Sequence, residues 1–312
     1  MNGFGIMFHH FHDKTKHIRS QGSISGDDFR QLIFFLKSHY EILDADVYFQ
    51  KAKNSDLKAN QICLTFDDAL ACQFDIAYPI LEELDIKAFW FLYSSIYNGA
   101  LEKLEIYRHF RFSKFDSVES FYIHFLKTAA LMQDNICVDV EKEIMLFDPK
   151  SYAQEATFYT DMDRTFRYLR DCVLKEEKYY SIMDNMVKTY KYNVEANKAL
   201  LWIGEEQVRE LHKNKHIIGL HSHTHPTVLA AKSFEDQMAE YSNNKSTLER
   251  IIQDEVFSIA YPCSSYNDDT DIIMDKLGIQ LGFDARMSNN QAGLLHLPRK
   301  DHVYVMEEMK NE

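Results

Sequence analysis

Short apolar runs alternate with helical patterns in the first and last thirds of the chain. The apolar runs predict strands, at residues 4–10, 40–43, 62–66, 88–93, 216–220, 257–261, 280–283 and 294–297. Apolar residues recur at helical spacing between most of them, within residues 27–36, 74–84, 204–211, 233–252 and 268–277. Alternating strands and helices favour a parallel sheet. The pattern predicts an α/β fold, an incomplete (β/α)7-8 barrel, and no glycine-rich nucleotide-binding motif competes with it.

Polar residues mark several ends of these elements. Asp27 and Asp28 predict the start of the first helix, and Ser233 predicts the start of a long one. Gly278 follows the last helical pattern and predicts a helix end, because glycine adopts the left-handed conformation easily. The polar stretch 51–60 predicts a loop.

The alternation stops near residue 98 and resumes near residue 200. Residues 98–200 contain one glycine, Gly99, and one proline, Pro149, so turn signals are scarce. Helical patterns fill much of this segment, at residues 117–132, 163–176 and 178–190. We predict a barrel formed by residues 1–97 and 201–312. Residues 98–200 are predicted to be a mostly helical insertion that caps the site or forms the interface of a homo-oligomer.

Composition narrows the classes of protein that fit. The chain has 312 residues and 46% hydrophobic residues, enough for a substantial core, and its formal net charge of −13 argues against a nucleic-acid partner. No apolar stretch is long enough to span a membrane, and the N-terminus lacks a basic, signal-like segment. The expected location is therefore cytoplasmic. Five scattered cysteines without a CxxC pair predict reduced, mostly buried thiols.

Residues 64–68, LTFDD, bring two adjacent carboxylates to the end of a predicted strand. Side chains alternate along a strand, so Asp67 and Asp68 point in different directions. One could bind a metal while the other faces the substrate, in a β–α loop of the kind where functional residues concentrate. The alternative is a turn or a helix N-cap without a catalytic role.

Residues 219–226, GLHSHTHP, follow another predicted strand. If they form a helical turn, His221 and His225 converge on one face and His223 points away, whereas an extended run would align all three. Together with Asp68 they provide two imidazoles and one carboxylate, a set typical of a catalytic zinc or related divalent metal. Asp67 is then available as general base for the attacking water.

These segments resemble the motifs of polysaccharide deacetylases, the NodB-homology carbohydrate esterases of family 4. Residues 65–68, TFDD, are similar to the first motif, and residues 221–225, HSHTH, are similar to the H-[ST]-x-x-H motif. Residues 260–264, AYPCS, resemble the groove motif R-[FY]-P-x-G. The resemblance covers residues 4–96 and 203–302.

The resemblance implies roles for the residues in these motifs. Asp67 would be the catalytic base, and Asp68, His221 and His225 would bind a divalent metal, Zn²⁺ first, with Co²⁺, Ni²⁺ or Mn²⁺ as alternatives. The substrate would contact the groove motif, and a backbone N–H would stabilise the oxyanion. The candidates for substrate contacts are Tyr261, Pro262 and, beside the N-terminal strand, His10. The candidate for the oxyanion donor is the backbone N–H of Tyr261.

The general acid of this family is a histidine, and two positions compete for that role. Residues 294–296, LLH, resemble the usual late L-x-H motif and would supply His296. Residues 6–10, IMFHH, resemble the subgroup that carries the acid at its N-terminus, as the late residues 297–301, LPRKD, also do. We therefore prefer His9. Either Asp284 or Asp301 could orient it.

Three departures from the family motifs affect the substrate more than the metal chemistry. Ala260 replaces the usual arginine, Ser264 the usual glycine, and Ala69 a further glycine. The expected activity is removal of an N-acetyl group from an amino sugar, within a glycan or a nucleotide- or lipid-linked sugar. The alternatives are a deformylase or other small amide hydrolase, and a catalytically silent glycan-binding module.

Arginines recur at helical spacing inside the insertion. Arg164, Arg167 and Arg170 follow Asp161 and Asp163. Such a stripe could bind a phosphate or carboxylate, or it could be a solvated face with internal ion pairs.

Overall fold

The computed structural model describes residues 3–154, 159–287 and 293–311. It contains two compact units. The barrel unit consists of Met1–Glu102 and Lys198–Glu312, and the helical unit consists of Lys103–Asn197. That the helical unit acts as a cap or an oligomer interface stays a prediction.

The described strands are short and mostly buried. They are β1 (Phe4–Phe8), β2 (Phe11–His12), β3 (Ile24–Ser25), β4 (Glu41–Ile42), β5 (Gln61–Asp67), β6 (Phe89–Leu92), β7 (Ile217–Leu220), β8 (Ser258–Ala260), β9 (Leu281–Phe283) and β10 (Arg299–Asp301). The main sheet has the order β10-β1-β5-β6-β7-β8-β9, and β4 pairs with the start of β5. All of these pairings are parallel. The predicted incomplete α/β barrel is confirmed.

The two ends of the sheet approach each other through residues 297–301. Leu297 forms a parallel bridge with Phe283 on β9, and Arg299 pairs with Gly5 on β1. The predicted strand at 294–297 thus reduces to one bridging residue, and the strand β10 begins two residues later. This arrangement places Arg299 beside the N-terminal strand, although the two are far apart in sequence.

The helices surround the sheet or build the helical unit. They are α1 (Gly26–His39), α2 (Ala45–Lys53), α3 (Tyr78–Glu83), α4 (Lys103–Lys114), α5 (Val118–Leu131), α6 (Gln133–Ile136), α7 (Val140–Leu146), α8 (Asp161–Tyr168), α9 (Lys175–Thr189), α10 (Val194–Lys198), α11 (Glu205–Lys213), α12 (Phe234–Ile252), α13 (Asp268–Lys276) and α14 (His302–Asn311). A π-helical turn precedes α3, at Gln73–Ala77, and another follows α8, at Leu169–Leu174. Most of the predicted helical patterns are therefore found as helices.

The helix ends test the predicted caps. Ser233 caps α12 by accepting a hydrogen bond from Asp236 N–H, as predicted. Gly278 follows α13 with φ +71, as expected of a helix end. The first helix is different, because Ser25 rather than the aspartates is its N-cap, and its side chain accepts from Asp28 N–H. The charged residues of its first turn interact favourably with the helix dipole instead.

Part of the predicted loop at 51–60 is helical. Helix α2 runs to Lys53 and buries Tyr48 and Phe49 in a cluster with Phe89 and Phe283. Its polar second half concealed this amphipathic pattern. Helix α14 was also missed.

Alternation along β5 separates two environments. Phe66 stacks on Phe8 and Trp90 in one aromatic layer. Thr65 and Asp67 lie on the opposite side of the strand, since successive side chains alternate. That opposite face carries the polar residues of the site.

The helical unit has an aromatic core of its own. Phe166 contacts Phe121, Phe125 and Tyr179 through ring-centroid distances of 5.5, 5.0 and 6.1 Å. These rings are buried, and their apolar area stabilises the packing of α5, α8 and α9.

Within the described residues, no helix is both long and apolar enough to cross a membrane. The five cysteines all lie in the described part of the chain and form no disulfide; Cys63 and Cys72 are buried, whereas Cys137, Cys172 and Cys263 are exposed. The expectation of mostly buried cysteines is therefore wrong for the last three.

Candidate active site

Strand β5 delivers the two aspartates to the carboxyl edge of the sheet. Asp67 is the last residue of the strand and is only 1% exposed. Asp68 and Ala69 then adopt left-handed backbone conformations, with φ +80 and +56. This turn directs the two carboxylates differently, and the strain it stores is typical of functional sites.

Asp67 is held by a buried arginine. Arg299 donates from Nη1 to Asp67 Oδ1 at 2.7 Å and from Nη2 to Oδ2 at 2.8 Å. The same guanidinium also bonds Thr65 Oγ1 at 3.2 Å and the carbonyl of Asp284 at 3.0 Å. A Cβ on Gly5 would lie 3.0 Å from Arg299 Cγ, so glycine there leaves room for the side chain.

This pair fixes the charge of Asp67. Burial raises the pKa of its carboxyl group, but Arg299, His221 and His9 together outweigh burial and the pKa is lowered. A bidentate, charge-assisted pair also fixes the orientation of the carboxylate. Asp67 is therefore ionised and oriented, as a general base must be.

Asp68, His221 and His225 converge on one point. Each offers one ligand atom, and the three atoms lie within 4.8 Å of one another. The Nε2 atoms of His221 and His225 lie 3.3 and 3.2 Å from Asp68 Oδ1. That oxygen is buried and accepts no hydrogen bond from the part of the chain that the structure describes. An orphaned carboxylate oxygen facing two imidazole nitrogens fits a divalent metal.

The surroundings of His221 select the tautomer that a metal needs. His221 Nδ1 lies 2.7 Å from the carbonyl of Ala260, so Nδ1 carries the proton and Nε2 presents its lone pair. Asn244 Oδ1 accepts the His221 backbone N–H at 2.9 Å, and its amide group donates to the carbonyl of Leu92 at 2.9 Å. The imidazole is thus fixed from both ring and backbone.

His221 and His225 converge without the expected helical turn. Ser222 and His225 have φ values of +61 and +56, and the segment is an irregular turn. Ser222 Oγ accepts the His225 N–H at 3.1 Å. His223 points away, and its Nδ1 lies 2.8 Å from Ser94 Oγ. Its exclusion from the ligand set agrees with the sequence interpretation, but the geometry behind that interpretation was wrong.

The centre favours a positive charge. Burial lowers the pKa of His225, but Asp68, Glu102 and Asp67 together outweigh burial and raise it to about 9. Burial likewise raises the pKa of Asp68, and the charge on His225 holds it well below its usual range. A proton and a metal ion compete for this position, and three converging donor atoms suit the metal.

His9 faces both aspartates. Its Nε2 lies 3.9 Å from Asp67 Oδ2 and 3.9 Å from Asp68 Oδ2, and its side chain is 30% exposed. Gln73 fixes the loop by donating from Nε2 to the carbonyls of His9, at 2.8 Å, and Asp67, at 2.6 Å. His10 is the next residue, and its carbonyl accepts Ile24 N–H at 3.1 Å.

The competing histidine lies in a different environment. His296 Nε2 is 3.0 Å from Asp271 Oδ1, and its ring stacks on Tyr261 with a centroid distance of 5.5 Å. The geometry therefore supports His9 for the acid role.

The two candidate orienting aspartates are also separated. Asp284 accepts hydrogen bonds from Ser264 Oγ and, at 2.9 Å, from Tyr266 OH. Asp301 pairs with Met7 across β1 and β10. Burial raises the pKa of Asp301, but His302 and then His9 outweigh it and the pKa is lowered. Asp301 is thus the one in the electrostatic field of His9.

The groove motif follows strand β8. Tyr261 is fully buried, and its N–H donates to the carbonyl of Phe283 at 3.2 Å. That this amide stabilises an oxyanion stays a prediction. Pro262 is buried at the start of a short 3-10 turn. Cys263 and Ser264 have φ values of +51 and +53, the region that the glycine of the motif favours.

Three supporting residues were missed in the sequence. Two sequence signals could have identified Arg299: position 260 lacks the usual arginine of the motif, and residues 297–301 contain one. Gln73 had no sequence signal. Neither had Trp202, which forms an antiparallel bridge with Leu70 and donates from Nε1 to Tyr93 OH.

The fold and the site define a class of protein: α/β barrels with a candidate divalent-metal centre. The family model for polysaccharide deacetylases matches residues 150–282, which include His221 and His225. Residues 150–282 are therefore similar to polysaccharide deacetylases, which confirms the resemblance seen in the motifs. Comparison with curated proteins gives no match.

Several solved structures share this fold. The deacetylase PplD of Streptococcus pyogenes, in complex with acetate, is 17% identical with a TM-score of 0.56, over 96% of this chain and 92% of that one. IcaB of Ammonifex degensii is 14% identical, with a TM-score of 0.55 and coverages of 96% and 90%. A de-N-acetylase of Aggregatibacter actinomycetemcomitans is 13% identical, with a TM-score of 0.55 and coverages of 96% and 94%.

Proposed function

We propose that the protein is a metal-dependent hydrolase that removes the N-acetyl group from an amino sugar. The observation that carries the proposal is the convergence of an ionised, arginine-held aspartate, a three-donor metal set and a partly exposed histidine at one edge of the barrel. The family match and the acetate bound to PplD support an acetyl group as the group removed.

Asp68, His221 and His225 are the residues that would hold the metal. A divalent ion there would polarise the acyl oxygen and lower the pKa of a bound water. Two imidazoles and one carboxylate suit Zn²⁺, with Co²⁺, Ni²⁺ and Mn²⁺ as alternatives. The tautomer fixed by Ala260 keeps the Nε2 lone pair of His221 available for this role.

Asp67 and His9 divide the proton transfers. Asp67 accepts a proton from the water while the water oxygen attacks the acyl carbon. Arg299 keeps Asp67 ionised and prevents its rotation. When the carbon–nitrogen bond breaks, His9 donates a proton to the leaving nitrogen, and the products are acetate and a free amine. Because His9 is partly exposed and 3.9 Å from Asp67, both groups can reach one reacting amide.

Hydrolysis of candidate sugars with and without a chelator tests this function. Purified protein is analysed for bound metal and then incubated with N-acetylglucosamine, chitooligosaccharides and a nucleotide-linked N-acetyl sugar. We expect acetate release from at least one of them, its loss with chelator and its recovery when Zn²⁺ is restored.

Other outcomes favour the competing functions. Release of formate from N-formyl sugars without acetate release would identify a deformylase. Bound metal and sugar binding without acyl release would indicate a glycan-binding module.

A further inference from the structure

The three arginines at helical spacing in the helical unit have different environments. Arg164 donates through Nη1 to backbone carbonyls at residues 152–153. Arg170 pairs with Asp171, with 2.5 Å between Nε and Oδ1. Arg167 differs, because its Nε is buried without a hydrogen-bond partner among the described residues. The arginine stripe is therefore not one surface.

Arg111 on α4 has the same property as Arg167. Its Nε is also buried, and its N–H donates to no acceptor among the residues that the structure describes. Arg108, one turn earlier, is satisfied by Glu105 through bonds of 2.7 and 2.5 Å. Buried guanidinium groups normally pair with a carboxylate, because an unpaired buried charge is unfavourable. Two buried guanidinium Nε atoms without a partner among the described residues are therefore unexpected in a chain of net charge −13.

Aromatic rings hold the flat faces of both guanidiniums. Arg111 Cζ lies 4.5 Å from the ring centroid of Phe112 and 5.6 Å from that of Phe121. Arg167 Cζ lies 4.0 Å from the ring centroid of Tyr159. Cation–π contact uses the face of the guanidinium and leaves the N–H groups at its edge available. Both side chains are partly exposed as a whole, although their Nε atoms are buried.

The charges of both arginines affect the phenol of Tyr122. Burial and Asp163 raise the pKa of this phenol, whereas Arg111 and Arg167 both lower it. Burial lowers the pKa of Arg111, and Arg167 lowers it further. The neighbouring carboxylate is already engaged, because Asp163 accepts from Tyr122 OH and, at 2.9 Å, from Thr160 N–H.

We propose that Arg111 and Arg167 bind a phosphoryl group in the helical unit. Two unsatisfied positive charges match a phosphate monoester or terminal phosphate, which carries about −1.5 to −2 at pH 7 and three acceptor oxygens. A carboxylate would balance only one of them. The forked N–H groups of arginine suit phosphate oxygens geometrically. Inorganic phosphate, a nucleoside diphosphate and a phospholipid share this chemistry.

Calorimetric titration of the full chain with inorganic phosphate tests the site, with acetate as the carboxylate comparison. We expect phosphate to bind more tightly than acetate, in both zinc-loaded and chelator-treated protein. Arg111→Gln and Arg167→Gln should each weaken phosphate binding about tenfold or more, the effect of losing charge-assisted hydrogen bonds. Arg170→Gln is the matched control and should bind phosphate as the wild type does.

Two further arms identify the source of the phosphoryl group. Uridine diphosphate and vesicles containing phosphatidic acid are titrated against the same variants. If binding of uridine diphosphate or of the vesicles requires both arginines, that compound represents the ligand class. If binding of neither requires them, inorganic phosphate itself is the ligand.

Three results would overturn the proposal. They are no phosphate binding, binding that both glutamine variants retain, and binding confined to zinc-loaded protein, which would locate phosphate at the metal centre. A lower unfolding midpoint of both variants in phosphate-free buffer, with unchanged phosphate affinity, would show that the arginines are structural. None of these measurements depends on deacetylase activity.

Discussion

At the scale of residues, Asp67 depends on a partner that is remote in sequence. Arg299 donates to both oxygens of its carboxylate, and His9 Nε2 lies 3.9 Å from Oδ2. The sequence motifs identified Asp67, Asp68, His221 and His225 as candidates, because each motif lies at the end of a predicted strand. It could not identify Arg299 as the partner of Asp67, since that contact arises only when β10 pairs with β1.

Removing Arg299 should be far more harmful than removing a surface arginine. Arg299→Met leaves Asp67 buried without its partner, which typically costs about 3–5 kcal/mol of unfolding free energy. Urea denaturation of Arg299→Met, Asp67→Asn and the double variant measures the coupling. We expect the double variant to be more stable than the sum of the single changes predicts.

The exposed pair of Arg30 and Glu83 is the matched control, because it is also bidentate, with distances of 2.8 and 2.5 Å. Arg30→Met should change stability little, since solvent screens the pair. Additive effects of the Arg299 and Asp67 substitutions would contradict the buried ion pair.

Substitution of each candidate acid should separate their roles. His9→Gln should lower kcat by about 10²–10⁴, the usual contribution of a general acid, and should retain the bound metal. His296→Gln should leave kcat near the wild-type value, because His296 pairs with Asp271 instead. Steady-state acetate release and metal analysis check both. Loss of kcat in His296→Gln alone would reassign the acid.

At the scale of elements, the sequence was most informative where a cap and a periodic pattern coincide. Ser233 and the apolar repeat after it defined α12 correctly. Helix α2 was missed because its second half is polar and its burial depends on contacts with the sheet. The turn at His221–His225 could not be predicted, because left-handed conformations at Ser222 and His225 replace a helical turn.

His216 joins three elements and should make stability depend on pH. Its Nδ1 accepts hydrogen bonds from Ala88 N–H at 3.0 Å and Trp90 Nε1–H at 3.1 Å. Burial lowers the pKa of His216 from 6.5 to about 4. Between these values the unfolded chain binds the proton and the folded chain does not. Its contribution is therefore complete above pH 6.5 and falls by about 3 kcal/mol as the pH decreases to 4.

Urea denaturation of the wild type and His216→Asn at several pH values measures this effect. The variant should be less stable at pH 7, and the difference between the two proteins should narrow as the pH falls to 4. A difference independent of pH would contradict the buried neutral imidazole.

At the scale of the whole molecule, one long insertion interrupts a barrel whose site residues come from both sides of it. Asp67 and Asp68 precede residues 103–197, and His221 and His225 follow them. The barrel could be predicted because strand and helix patterns resume after the insertion. The proposed phosphoryl site could not, because Arg111 and Arg167 are on separate helices and only packing shows which arginine Nε atoms lack a partner among the described residues.

Acetate release by Asp67→Asn, measured together with the metal content of the variant, tests whether Asp67 is the general base. Asparagine keeps the size of the side chain and removes the base, while Asp68, His221 and His225 remain to bind the metal. We expect the variant to hold as much metal as the wild type and to lose at least about 10²-fold in kcat. Full turnover by a metal-loaded Asp67→Asn protein would rule out Asp67 as the base.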